Sequence, residues 1–191
     1  MTTIAAIQGD SWAVIAYDSR ITEDSRAFTL PNISGKVAQN GPYLLGAAGD
    51  LRAINLLHHT FKPPAPSPSM RGARLNEFIS SKFIPALKTC FDDAQYGEKG
   101  AQDSSVIAVV NGTVYEIGSN YEWCHDQRGI YAIGTGGTYA LGALYESNDG
   151  RRKKTLTTAR SSLKSALAIA SLLDVNTGGN IHVVTQKFET S

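Results

Sequence analysis

Cysteine is scarce in this chain, with Cys90 and Cys124 the only two in 191 residues. They supply neither a disulfide framework nor a metal-ligand spacing. Charge of one sign is missing too: 18 Lys and Arg against 17 Asp and Glu leave a formal net charge of +1. No broad field therefore favours nucleic acid. The one basic cluster, Arg151-Arg152-Lys153-Lys154, follows the turn signal Asn148-Asp149-Gly150 and reads as the solvated approach to a helix. No apolar run approaches the roughly 20 residues that span a membrane, and the N-terminus lacks the basic and apolar regions of a signal peptide. His58 and His59 are adjacent on an expected helix, so they point apart and make a poor metal pair. Cys124-His125 has no partners at ligand spacing. The expectation is no metal, no cofactor, no nucleic acid and no membrane, with a cytoplasmic location as the default.

What is present is apolar strand and helix in a regular order. The length fits one domain over 1–191, large enough to bury a core without staples. Residues 3–8 and 12–17 are strand-like runs around the hairpin signal Gly9-Asp10-Ser11. A turn-rich stretch containing Pro31-Asn32 leads to Gly35-Lys36-Val37 and the strand 43–48. Gly46 lies inside that strand, where a glycine marks close backbone approach. Asp50 is placed to cap a helix with Leu51, Ile54, Leu57 and Phe61 on one face. The segment Pro63 to Pro68 ends it as a stiff, exposed loop. Leu75, Ile79, Phe83, Leu87 and Phe91 recur every four residues and predict a long helix kinked at Pro85. Strands 105–110 and 113–117 flank Asn111-Gly112, a strong hairpin signal. A strand over 130–133, helices over 139–145 and 155–173, and a strand over 181–185 complete the chain. Strands, two helices, strands, two helices, strand: this order predicts an α+β fold. It is a four-layer αββα sandwich of two mainly antiparallel sheets, each covered outside by a helix pair.

Thr2, directly after Met1, opens the first strand. Were Met1 removed, one residue would carry both a hydroxyl nucleophile and a free amine to take its proton. Such an amine has a reference pKa of about 7.7–8.0, so a sizeable fraction is unprotonated near neutral pH. Taken singly, the other polar residues are ordinary. Gly134-Thr135-Gly136-Gly137 lacks the lysine of a phosphate loop and is a tight strand-to-helix turn. Asp18 is a strand-end polar residue, Lys36 a surface lysine, and Asp174 a helix-end carboxylate.

Together, and in this order, Thr2-Thr3-Ile4, Asp18-Ser19-Arg20, Gly35-Lys36-Val37, Leu45 to Asp50, Gly134 to Gly137 and Asp174 to Gly179 resemble the motif series of proteasome β-type subunits. Those are N-terminal-nucleophile threonine peptidases, among them the peptidase of the bacterial two-component ATP-dependent protease. The resemblance implies Thr2 as nucleophile with its own amine as base. Lys36 would favour the attacking form, and Asp18 would hold Lys36 charged and aimed. The Gly46 N–H would serve the oxyanion, while Thr135 and Asp174, with Thr177 as a weaker addition, would orient the amine. Arg20 would brace the strand end beside substrate, and Ile21, Leu44 and Ala48 would line an apolar specificity site. Thr135 departs from the serine common at this place but keeps the hydroxyl. The resemblance further implies unfolded polypeptide as substrate, a homo-oligomeric double ring, and an ATP-driven unfoldase as a separate partner. Thr2→Ala and Lys36→Ala are each expected to abolish hydrolysis and leave the fold intact. Retention of Met1 would lock the amine of Thr2 in a peptide bond, giving the alternative of a non-catalytic ring or scaffold protein.

Overall fold

The computed structural model describes residues 2–23, 26–31, 35–97, 102–147 and 155–188. Met1, Asn32, the turn at 148–150 and the basic cluster at 151–154 lie outside the described residues.

One sheet is antiparallel and four-stranded. It contains β1 (Thr3–Gln8), β2 (Trp12–Asp18), β10 (Ile130–Gly134) and β11 (Ile181–Lys187), in the order β10-β1-β2-β11. The second, also antiparallel, has five strands in the order β5-β6-β7-β8-β9: Val37–Asn40, Tyr43–Gly49, Ser104–Val110, Thr113–Ile117 and Trp123–Cys124. Alternate residues of each strand feed different cores. Ile4, Ala6, Ile15, Leu44, Ile107 and Val109 pack between the sheets. Ala5, Ile7, Val14 and Ala16 face outward onto α4 (Gly137–Ser147) and α5 (Leu156–Leu173). Tyr43, Leu45, Val106 and Ala108 face outward onto α1 (Leu51–Asn55), α2 (Gly72–Phe78) and α3 (Ile84–Asp93). Strands covered on both faces need apolar residues at every position, which is why these runs show no polar alternation. The four-layer αββα sandwich is the fold expected from the element order.

Local signals account for most boundaries. The Asp50 carboxylate accepts from the Arg52 N–H at 2.8 Å and starts α1. Thr155 and Thr158 form a capping box at the start of α5. Asn111 and Gly112 turn β7 into β8 with φ of 49° and 72°, the backbone a tight hairpin requires.

Three elements differ from expectation. The stretch after Asp18 is a hairpin, β3 (Arg20–Glu23) with β4 (Arg26–Thr29), rather than turns alone. Its strands are mostly exposed, so no hydrophobic alternation announces them. The long helix is interrupted not by a proline kink alone but by a π-helical turn, Ile79–Phe83, just before Pro85 in the first turn of α3. All five stripe residues from Leu75 to Phe91 are fully buried. A repeat of four drifts around an α-helix of 3.6 residues per turn, and one wider turn restores its alignment. The segment Pro63 to Pro68 is held as stiffly as expected but is only partly exposed: Pro66 is buried, Tyr43 Oη donates to the Pro64 carbonyl, and Asn111 Nδ2 donates to the Ser67 and Met70 carbonyls. Among the described residues, no helix is long and apolar enough to cross a membrane.

Candidate active site

The polar residues singled out from the sequence converge where β1 starts, β2 ends and α5 runs into β11. Asp18 and Lys36 meet first: Lys36 Nζ lies 2.7 Å from Asp18 Oδ1, with side-chain exposures of 0% and 1%. The same oxygen accepts the Thr3 N–H at 2.9 Å, and Oδ2 accepts the N–H groups of Gly178 at 3.0 Å and Arg20 at 3.1 Å. Burial pushes the Lys36 ammonium below its ordinary range, and the adjacent Asp18 carboxylate opposes that shift. The peptide joining Thr2 to Thr3 thus sits one hydrogen bond from a buried ion pair.

A second cluster surrounds Asp174, which closes α5. Its Oδ2 accepts from the hydroxyls of Thr177 at 2.6 Å and Thr135 at 2.7 Å, and its Oδ1 from the Asn176 N–H at 3.2 Å. Burial raises the Asp174 pKa, but the hydrogen bonds from Thr177, Thr135 and Asn176 together outweigh it and hold the carboxyl below its ordinary value. Thr3 links the clusters, its Oγ1 lying 2.6 Å from Thr177 Oγ1. The Thr177 hydroxyl has one proton and commits it to Asp174, so Thr3 donates to Thr177. The result is a relay from Thr3 through Thr177 to Asp174.

Two glycines make this convergence sterically feasible. A Cβ on Gly136 would lie 2.1 Å from Thr3 Oγ1 and 2.6 Å from Thr177 Oγ1, so the glycine turn closes directly over the relay. A Cβ on Gly46 would lie 2.7 Å from Val37 Cγ2, 3.0 Å from Ile4 Cδ1 and 3.1 Å from the Lys36 carbonyl oxygen. Gly46 is therefore beside Lys36, and close sheet-to-sheet packing is enough to require glycine there.

The remaining sequence-derived residues separate. Thr2 is 2% exposed and lines a cavity of about 520 Å³, together with Ile21. Phe28, Leu51 and Ile54 supply further apolar wall, and Glu23, Asp50 and Asp103 supply carboxylates. Leu44 does not line this cavity; it packs in the core between the sheets, because it shares the inward face of β6 with Gly46. Ala48 lines a neighbouring polar depression with Ser104 and Gly118. Arg20 Nη1 donates to the carbonyls of Val175 and Thr177, both at 3.2 Å, clamping the loop after α5. Sequence reasoning passes over Thr3, Phe28 and Asp103. Thr3 is recoverable in principle, since adjacent threonines on a strand face opposite sides and one must face the Asp174 cluster. Phe28 and Asp103 carry no local signal.

Layers and connectivity give a four-layer αββα sandwich, the fold that is also found in HslV. Solved structures with this fold include Thiobacillus denitrificans BPH in complex with epoxomicin, at TM-score 0.75 and 17% identity over 99% of this chain and 100% of that one. Uncomplexed Thiobacillus denitrificans BPH gives TM-score 0.72 and 16% identity over all of both chains. Eukaryotic HslV from Trypanosoma brucei gives 0.68 and 19% identity over 97% of this chain and 99% of that one. No protein-family model and no curated protein matches the sequence.

Proposed function

We propose that this chain is a threonine endopeptidase acting on unfolded polypeptide, with Thr2 as nucleophile once Met1 is removed. The observation that carries the reading is the buried Asp18–Lys36 pair, whose carboxylate oxygen also holds the N–H of the residue after Thr2. A buried ion pair is weak as a stabilising device, because desolvation offsets its attraction. Its place beside a potential N-terminal nucleophile supplies the reason to keep it.

Thr2 Oγ attacks the scissile carbonyl carbon and its proton passes to the α-amine. The Lys36 charge favours the attacking form, and the Gly46 N–H donates to the developing oxyanion. The carbon–nitrogen bond breaks, the leaving amine takes the proton, and an ester on Thr2 remains for water to hydrolyse. Thr135 and Asp174 orient the amine, and Thr177 supports them. Activity rises with pH through about 7.7–8.0 as the amine loses its proton. The whole of 1–191 acts as one domain in the cytoplasm. The nucleophile is sequestered in a homo-oligomeric double ring of twelve or fourteen subunits, built from head-to-tail interfaces that close. Unfolding is left to a separate ATP-driven partner.

Intact mass, peptide hydrolysis and labelling by epoxomicin, which the Thiobacillus protein binds, test this together. The expected result is loss of Met1, an adduct on Thr2 that needs both hydroxyl and amine, and no hydrolysis by Thr2→Ala. Full retention of Met1 in an active preparation overturns the mechanism. An inert, unlabelled protein that retains Met1 would instead be a ring or scaffold protein. Native mass spectrometry reads the assembly, and a fully active monomer overturns the ring.

A further inference from the structure

We infer that the cavity at Thr2 is a subsite for a basic side chain, lysine or arginine, in a polypeptide; this rests on the peptidase reading and names its substrate class. Its walls are apolar, formed by Ile21, Phe28, Leu51 and Ile54, and three carboxylates, Glu23, Asp50 and Asp103, share its lining. Lysine and arginine have that composition in reverse, an alkyl stem that packs on apolar surface and a cationic head that seeks carboxylate. The exposed ring of Phe28 adds a face on which a cation can rest.

The chain as a whole is nearly neutral, with 18 basic and 17 acidic residues, so the sign of this cavity is local. Neighbouring cations are directed elsewhere. Arg20 holds the carbonyls of Val175 and Thr177, Lys36 holds Asp18, and the Arg52 guanidinium donates to the Ala94 carbonyl. Arg26 lies 3.3 Å from Glu23 in an exposed pair, so Asp50 and Asp103 carry most of the cavity's charge. Thr2 itself points to a ligand: it is 2% exposed, it lines the cavity, and its hydroxyl makes no hydrogen bond among the described residues. A hydroxyl on a cavity wall, without a protein partner among the described residues, fits a place that polypeptide occupies.

The test uses one peptide scaffold carrying Lys, Leu or Glu before the scissile bond, and the full chain freed of Met1. We expect kcat/KM for Lys to exceed that for Glu by on the order of tenfold at low salt, with the gap narrowing as salt screens the carboxylates. Asp103→Asn and Asp50→Asn, the latter keeping the helix cap, should each lower the Lys-to-Leu ratio about two- to fivefold, the range of an exposed ion pair. A preference for Leu or Glu, or a Lys preference indifferent to both substitutions, overturns the inference. Fluorescence anisotropy of the same labelled peptides on Thr2→Ala separates binding from chemistry. Lys-selective binding without hydrolysis in the unsubstituted protein overturns the peptidase reading and sustains the subsite. Hydrolysis without charge preference does the reverse, and absence of both overturns both.

Discussion

Asp18 and Asp174 stand on either side of the first strand and are held in opposite ways. Asp18 is surrounded by donors that cannot reverse: three backbone N–H groups and the Lys36 ammonium. Asp174 is fed mainly by hydroxyls, those of Thr135 and Thr177, and through Thr177 by Thr3. A carboxylate fixed by backbone and charge works as an anchor, since moving it breaks strand ends. A carboxylate fed by hydroxyls ends a relay whose direction it fixes, but whose rotating hydroxyls can re-aim without moving the backbone. On the proposed mechanism, Asp18 would supply position and Asp174 would orient the reacting groups.

Removing one partner of the buried pair should have the largest effect. Asp18→Ala or Lys36→Ala should each lower unfolding free energy by about 3–5 kcal/mol in urea titrations, because an uncompensated charge is left inside. The pair removed together should cost less than the sum. Full burial of Lys36 thus revises the expectation that Lys36→Ala leaves the fold untouched, and its activity must be read where the variant is folded. Equal stability of Lys36→Ala and the parent would show that Asp18 is no anchor. Asp174→Ala should cost less, about 1.5–3 kcal/mol, the scale of hydrogen bonds to a charged group.

Acid distinguishes the relay by sign. The folded pKa of Asp174 lies below its ordinary value of 3.8, so its stabilisation is present above about pH 3.8 and is lost as pH falls through the folded value. Asp174→Asn should flatten that acid limb in thermal melts, and an unchanged limb would remove Asp174 from the comparison. Thr177→Val, which interrupts the relay and preserves shape, should cost about 0.5–1.5 kcal/mol and depress turnover more than stability. The smallest effect belongs to Tyr121, whose buried hydroxyl has no hydrogen-bond partner among the described residues and whose pKa is pushed up to about 12, chiefly by burial. Tyr121→Phe should be neutral or stabilising by up to about 1 kcal/mol. A clear loss would mean that orphaned and satisfied polar groups contribute alike here.

Most of the fold was legible because its signals are local. Asn111-Gly112 specifies a turn, Asp50 a cap, and strands covered on both faces announce themselves by unbroken apolar runs. The β3–β4 hairpin was not legible because most of its residues face solvent, with Ile21 alone among them buried. The π turn was half legible: the four-residue stripe from Leu75 to Phe91 implied an irregularity, while Pro85 drew attention to the wrong turn. At the site, motif order brought out Asp18, Lys36, Thr135 and Asp174, which the structure places in two hydrogen-bonded clusters. Thr3 escaped because it differs from Thr2 only in the face it presents. Leu44 was assigned to a substrate wall because an apolar residue near Gly46 fits either role, and only the inward register of β6 decides between them.

The Asp18 carboxylate also joins parts of the chain that are made far apart in time. It receives Thr3, Lys36 and Gly178, the last 160 residues downstream, while Thr3 and Thr177 are separated by 174. Contacts of such separation demand large loop closures and form late compared with local helices and hairpins. During synthesis the first residues emerge from the ribosome long before the segment that completes their surroundings, so a nascent or truncated chain ending before Gly178 holds Thr2 and Lys36 but no finished site. Arrival of the segment through Gly178 thereby becomes the step that closes the cluster around Asp18.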